Sequence, residues 1–156
     1  MALDPSAREA NIRDSIKRYF VQNLYDTEGL EVMFDKSLST PNLVGKAVDR
    51  WVVVNFGSME LGSSSELYLN IFVCSRQDAE GFKLAQTRDK VVGCLSDTTK
   101  TDSMARIPFY KSSATEAWTL IGALIVPEVV EGPQFEAEDM TKYKQLTVRL
   151  FWSAKV

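Results

Sequence analysis

Apolar positions recur along the chain with two different periods. Ile12, Ile16, Tyr19, Phe20 and Leu24 fall on one face of an α-helix, and Arg13, Asp14, Lys17 and Arg18 fill the rest. Asp4-Pro5, or a capping box from Ser6 to Glu9, can start this helix, and it should end near Asp26–Gly29. The apolar stripe is narrow, which predicts packing on a core rather than on a membrane surface. A second helix is predicted from about Ala79 to Leu95 with Asp78 as N-cap. Leu84, Ala85, Val91, Val92 and Leu95 cluster on one side of it. Arg88 lies within that cluster. It either carries its charged head to the rim or pairs with a carboxylate, including one on a neighbouring subunit.

Between and after the helices the period changes to that of strands. Leu30–Phe34 reads as a short strand, and residues 35–49 as a loop or linker of turn formers. Trp51–Phe56 is rich in β-branched and aromatic residues. The polar stretch 57–65, GSMELGSSS, separates it from a strand over Glu66–Ser75, which predicts a long antiparallel hairpin. In that second strand Leu67, Leu69, Ile71 and Val73 face one way, and Tyr68, Asn70, Phe72 and Cys74 the other. Neither face is strongly polar, so both should be covered. Residues 96–105 read as a loop. Ile107–Tyr110 and Leu120–Val126 read as strands, the latter stopped by Pro127, which has no N–H for a ladder. Residues 128–140 hold five acids and no base and read as a loop. The chain closes with a period-two strand over Tyr143–Ser153.

This order predicts an α+β fold: a single antiparallel or mixed β-sheet with a long hairpin and two α-helices packed on it. Length agrees, since 156 residues fit one domain, here 1–156, and can bury about 70% of the surface of the unfolded chain. Apolar residues at 45% and charged residues at 25% are ordinary for a globular chain. A net charge of −3 and a pI of about 5.1 give no global attraction to nucleic acid. No apolar segment approaches the ~20 residues that span a bilayer. The first residues, MALDPSAREAN, lack the basic-then-apolar order of a signal peptide, so no membrane partner is expected. Cys74 and Cys94 sit in apolar segments and read as buried free thiols, although sequence alone leaves a disulfide open.

The chemistry-bearing residues are few. The chain has no histidine, which removes the commonest general base, the serine triad and most zinc sites. The cysteine spacing matches no zinc motif, and no nucleotide-binding glycine motif is present. Gly57, Gly62 and the neighbouring serines read as a hairpin tip rather than a phosphate cradle. Glu128, Glu131, Glu136, Glu138 and Asp139 lack the alternating pattern of a calcium loop and read as a solvated charge run. No catalytic residue, metal ligand or cofactor is expected, and the chain does not read as an enzyme. Assembly is the remaining function. A sheet with two apolar faces needs more cover than two helices give, and a partner subunit would supply it. Tyr68 and Phe72 on the second face are candidate interface residues. So are Arg88 and Arg149, whose planar five-donor heads lie in largely apolar settings.

Five segments, NIRDSIKRYFVQNLY, LEVMFD, WVVVNFGSMELGSSSELYLNIFVCSR, DAEGFKLAQTRDKVVGCLSD and KQLTVRLFWSA, follow one another in an order that resembles the tail terminator proteins of lambda-type siphophages. The resemblance covers most of the chain and lies in architecture rather than in a motif. The long 35–49 and 128–140 segments depart from it. It implies a structural virion protein, assembled in the host cytoplasm and resident in the tail or neck. Such proteins form a homohexameric ring that caps the tail tube, stops tube polymerisation and meets the head–neck connector. The partners implied are further copies of the chain, the tube protein and a neck or head-completion protein. DNA would pass through the channel without specific binding, and the acids at 128, 131, 136, 138 and 139 would face that channel or the adjoining ring. The alternatives are another neck, head–tail joining or tube component of the same fold, or a small non-viral adaptor module.

Overall fold

The computed structural model describes residues 9–35, 49–60, 65–76, 78, 80–100, 104–113, 116–136 and 141–152. Helix α1 spans Glu9–Phe20 and continues into a wider, π-helical turn over Val21–Asp26. Its predicted start signals lie outside the described residues. Ile12, Ile16, Phe20 and Leu24 are fully buried, as their spacing requires. Gly29, at φ +70°, turns the chain out of the helix, and the N–H groups of Gly29 and Leu30 reach the carbonyls of Tyr25 and Leu24 at 3.0 Å each.

The strands are β1 (Glu31–Phe34), β2 (Arg50–Glu60), β3 (Ser65–Ser75), β4 (Arg106–Ser113), β5 (Glu116–Glu136) and β6 (Lys142–Trp152), with α2 (Phe82–Cys94) between β3 and β4. They form one six-stranded mixed sheet in the order β1-β2-β3-β6-β5-β4. β1 runs parallel to β2, and every other pair is antiparallel. With two helices the chain is α+β. β3 and β6 are central and pair along their whole lengths, from Ser65↔Trp152 to Ser75↔Lys142. The inner face of the sheet carries Val52, Val54, Leu67, Leu69, Ile71, Val73, Leu146, Val148, Leu150 and Trp152, which form one buried core with the stripes of α1 and α2.

Three expectations about the strands change. Residues 57–60 belong to β2, not to the loop after it. One extra residue of β2 is accommodated opposite Tyr68, where the register shifts between Phe56 and Met59. Gly57 is there because a Cβ would stand 2.8 Å from the Tyr68 carbonyl oxygen. More consequentially, Pro127 does not stop a strand and residues 128–136 are not a loop: β5 runs through both to Glu136, paired to β6. The ladder shifts between Ile125 and Glu128 and again between Glu131 and Gln134. Pro127 and Pro133 fall inside these two shifts, where the ladder skips a donor that proline lacks. Residues 137–140 lie outside the described residues, as do most of 35–49.

The second helix starts at Phe82 rather than Ala79. Gly81, at φ +76°, sits at its N-terminal boundary, and Asp78 caps from further back. The Asp78 carboxylate accepts from the N–H groups of Lys83 at 3.1 Å and Leu84 at 2.9 Å, and from the Ser75 hydroxyl at 3.0 Å. Its buried side is Leu84, Thr87, Val91 and Leu95, while Ala85 is exposed. Thr87 can occupy that side because its hydroxyl donates to the Lys83 carbonyl at 2.8 Å.

Two outcomes follow from these contacts. Gly57→Ala should cost about 1–3 kcal/mol in denaturant unfolding, because a backbone carbonyl blocks the added methyl. For Asp78, burial alone would raise the carboxyl pKa, but the Leu84 and Lys83 N–H donors and the Ser75 hydroxyl outweigh it and lower the pKa. A depressed pKa contributes stability above the unfolded value and loses it as pH falls. Asp78→Ala should therefore cost about 1 kcal/mol at neutral pH. The gap to the parent should narrow as pH falls below the ordinary carboxylate value of about 3.9, measured by unfolding across pH.

Candidate interaction surface

The sheet face turned away from the helices is built row by row from the strand register. Trp51, Cys74, Tyr143 and Phe135 stand side by side across β2, β3, β6 and β5. Val53, Phe72 and Gln145 form the next row, and Asn55, Asn70, Thr147 and Val130 the one after. Then come Tyr68, Arg149 and Glu128, followed by Glu66, Phe151 and Ile125. The face thus grades from aromatic, through amide, to charged.

The two faces are not covered equally. Trp51, Val53 and Cys74 are buried as a small cluster with Met33, Phe72 and Tyr143 around it. Tyr68, Asn70 and Phe72 are only half-buried, so this face is less covered than its composition implied. Exposure concentrates on β5, where Ile125 is 38% exposed, Val130 56% and Phe135 49%. Phe135 stacks on Tyr143 with ring centroids 5.6 Å apart. These exposed residues lie in or beside the segment whose strand character sequence reading missed. Val129, Val130 and Phe135 carried β propensity, but the prolines and acids around them masked the signal.

Polar groups on this face are incompletely satisfied. Gln145 Nε2 donates to Asn70 Oδ1 at 3.0 Å. Trp51 Nε1, Asn55 Oδ1 and Arg149 Nε are buried without a hydrogen-bond partner. Each such atom costs about 1–3 kcal/mol relative to a paired one. The Arg149 guanidinium lies 4.4 Å from the centroid of the Phe151 ring and has no carboxylate partner among the described residues, although Glu128 is its register neighbour. Tyr68 donates to Glu66 at 3.4 Å. Of the four candidate interface residues, the structure gathers Tyr68, Phe72 and Arg149 on this face.

Arg88 lies elsewhere, on the helix side. It pairs within its own chain: Nε and Nη2 donate to Glu131 Oε1, and Nη1 to Asp89 at 3.0 Å. Lys144 Nζ approaches the other oxygen of Glu131 at 3.5 Å. Glu131 is thereby separated in role from the other acids of its segment, since it ties β5 to α2. Glu128 and Glu136 are exposed and enter no ion pair among the described residues, and Glu138 and Asp139 lie outside them.

Burial raises the pKa of three further groups, Tyr19, Cys74 and Cys94. Burial pushes the thiols of Cys74 and Cys94 up to about 12, so neither forms a thiolate at neutral pH, and both are free. Burial, with the Cys94 and Asp97 charges, pushes Tyr19 up to about 12, and its hydroxyl donates to the Cys94 carbonyl, joining the two helices. Among the described residues no group of three or more Cys, Asp or Glu could hold a metal ion.

No protein-family model and no curated protein matches the chain. A solved structure whose name states no function is similar to it with a TM-score of 0.52 at 11% identity, over 92% of this chain and 96% of that one. At that identity the likeness concerns the fold alone.

The Arg88–Glu131 pair is partly solvated, with side chains 33% and 30% exposed. Arg88→Met should therefore lower stability by no more than about 1 kcal/mol. The loss should shrink in high salt, which unfolding of both proteins at two ionic strengths will show.

Proposed function

We propose that the chain is a structural subunit of a phage tail: a homohexameric ring that caps the tube, ends its polymerisation and meets the head–neck connector. The observation that carries this reading is the half-covered second face, with Ile125, Val130 and Phe135 exposed and the Arg149 Nε unpaired. A monomer gains nothing from such a face, whereas a neighbouring subunit would cover its apolar groups. The antiparallel pairing of β2 with β3 and the α+β element order support the terminator-like form of the fold, as does the resemblance of the five sequence segments. In a ring, each exposed acid recurs around the axis. Glu128 and Glu136 are the acids available to face the channel or the adjoining ring, and a negative lumen would let DNA slide without adhering.

Electron microscopy of tails assembled without this protein tests the reading. Overlong or irregular tails that fail to join heads are expected. Tails of normal length that fail to join heads would transfer the chain to a neighbouring neck position. Tails of normal length that still join heads would overturn a tail role altogether. The purified chain, mixed with isolated tubes, should form a ring at the tube end. A stable dimer that never binds tubes would indicate an adaptor module.

A further inference from the structure

Ser15 lies on α1 between Ile12 and Ile16, on the face turned to the core, and is itself only 1% exposed. A buried hydroxyl needs partners, and a serine inside a helix usually finds one in the carbonyl a turn back. Ser15 instead reaches across to β4. Its Oγ accepts from the Tyr110 N–H at 2.9 Å and donates to the Tyr110 carbonyl at 3.2 Å. One side chain thus makes both main-chain bonds that a residue of an added antiparallel strand would exchange with Tyr110.

β4 is one end of the sheet and pairs with β5 on one side only. Main-chain groups alternate between the two sides of a strand, so Pro108 shares the outward direction of Tyr110. The register shift between them does not disturb this alternation, because the extra residue is on β5, where Gly122 and Leu120 oppose Phe109 and Tyr110. Pro108 has no N–H to offer. Of two successive outward positions in the middle of β4, one therefore lacks a donor and the other has both its groups taken by Ser15. The remaining edges are β1, only four residues long, and the part of β5 beyond Ile125, where β4 no longer pairs.

α1 is held in this position from both ends of the sheet. On the β4 side the Arg18 guanidinium lies 4.5 Å from the centroid of the Tyr110 ring. On the β1–β2 side Arg13 donates to Asp35 at 2.8 Å and lies 4.4 Å from the centroid of the Phe56 ring, and the Lys17 ammonium lies 5.7 Å from that of Phe34. Ile12, Ile16 and Phe20 fill the core beneath. We infer that α1 is an edge guard: Ser15 lets a helix take the place of a strand on β4 and, with Pro108, closes that edge to pairing with other chains. A sheet open at both ends can be extended chain upon chain, and closing β4 removes one of those ends. This role goes beyond the ring reading and holds whether or not the chain forms a ring.

The test compares the whole chain with Ser15→Ala, which removes the hydroxyl, and with Ile16→Val, which weakens the same helix without touching the edge. Each is held in the urea concentration that gives the same folded fraction, and aggregation is followed by light scattering. Ser15→Ala should aggregate at least about tenfold faster than Ile16→Val, and its Tyr110 amide should exchange at least about tenfold faster in NMR while that of Phe109 changes little. Equal aggregation of the two variants would reduce Ser15 to a contributor to stability and overturn the guard. Unchanged exchange at Tyr110 would show that the hydroxyl does not hold the edge, and would overturn it as well. Pro108→Ala leaves α1 untouched and returns one N–H to the outward side of β4, so it keeps the inference testable if Ser15→Ala does not fold. It should raise aggregation above that of the parent at matched folded fraction, and no rise would count against a closed β4 edge.

Discussion

The register between β3 and β6 is the constraint on which the rest of the structure depends. Leu67, Leu69 and Ile71 stand opposite Leu150, Val148 and Leu146, and all six are buried on the helix side. A slip of β6 by one residue against β3 would turn Leu146, Val148 and Leu150 to the other face and bring Thr147 and Arg149 against the helices. The cost would be the desolvation of an arginine and a threonine hydroxyl together with the loss of three apolar side chains from the core. Both helices pack on the face that this register creates: α1 through Ile12, Ile16, Phe20 and Leu24, α2 through Leu84, Val91 and Leu95.

β5 shows how the same sheet accepts residues that ought to interrupt it. A proline in a regular ladder removes a donor, yet β5 contains Pro127 and Pro133 and still pairs to Glu136. Each proline coincides with an extra residue that the partner strand does not match. The same shifts let a strand of 21 residues serve two neighbours in turn, β4 along its first part and β6 along its second. The open edge on its second part is a consequence of this division.

The faces of the sheet divide the physical tasks. The helix side holds the continuous core and an ion-paired clasp, where Glu131 joins Arg88 of α2 to Lys144 of β6. The opposite side mixes aromatic, amide and charged rows and leaves polar atoms of Trp51, Asn55 and Arg149 unsatisfied. Such a division fits a protein whose own stability comes from one face and whose contacts with others come from the other face and from β5.

Periodicity alone was enough to place both helices, the Trp51–Phe56 strand, the β3 and β6 alternation and the α+β class. Each of these signals is local, carried by apolar side chains repeating at the spacing of the element that buries them. What failed were the inferences that depended on a neighbour. Pro127 stops a strand only where the ladder needs its N–H, and whether it does is set by β6. Ala85 looked like core and Thr87 did not, because the sheet selects which side of α2 it covers. The partner of Arg88 was equally out of reach: Glu131 lies 43 residues away and meets it only because β5 extends beneath α2. Composition alone made both faces of β3 equally apolar. The helices could cover only one, since they lie on the same side of the sheet, and that choice left the other half-covered.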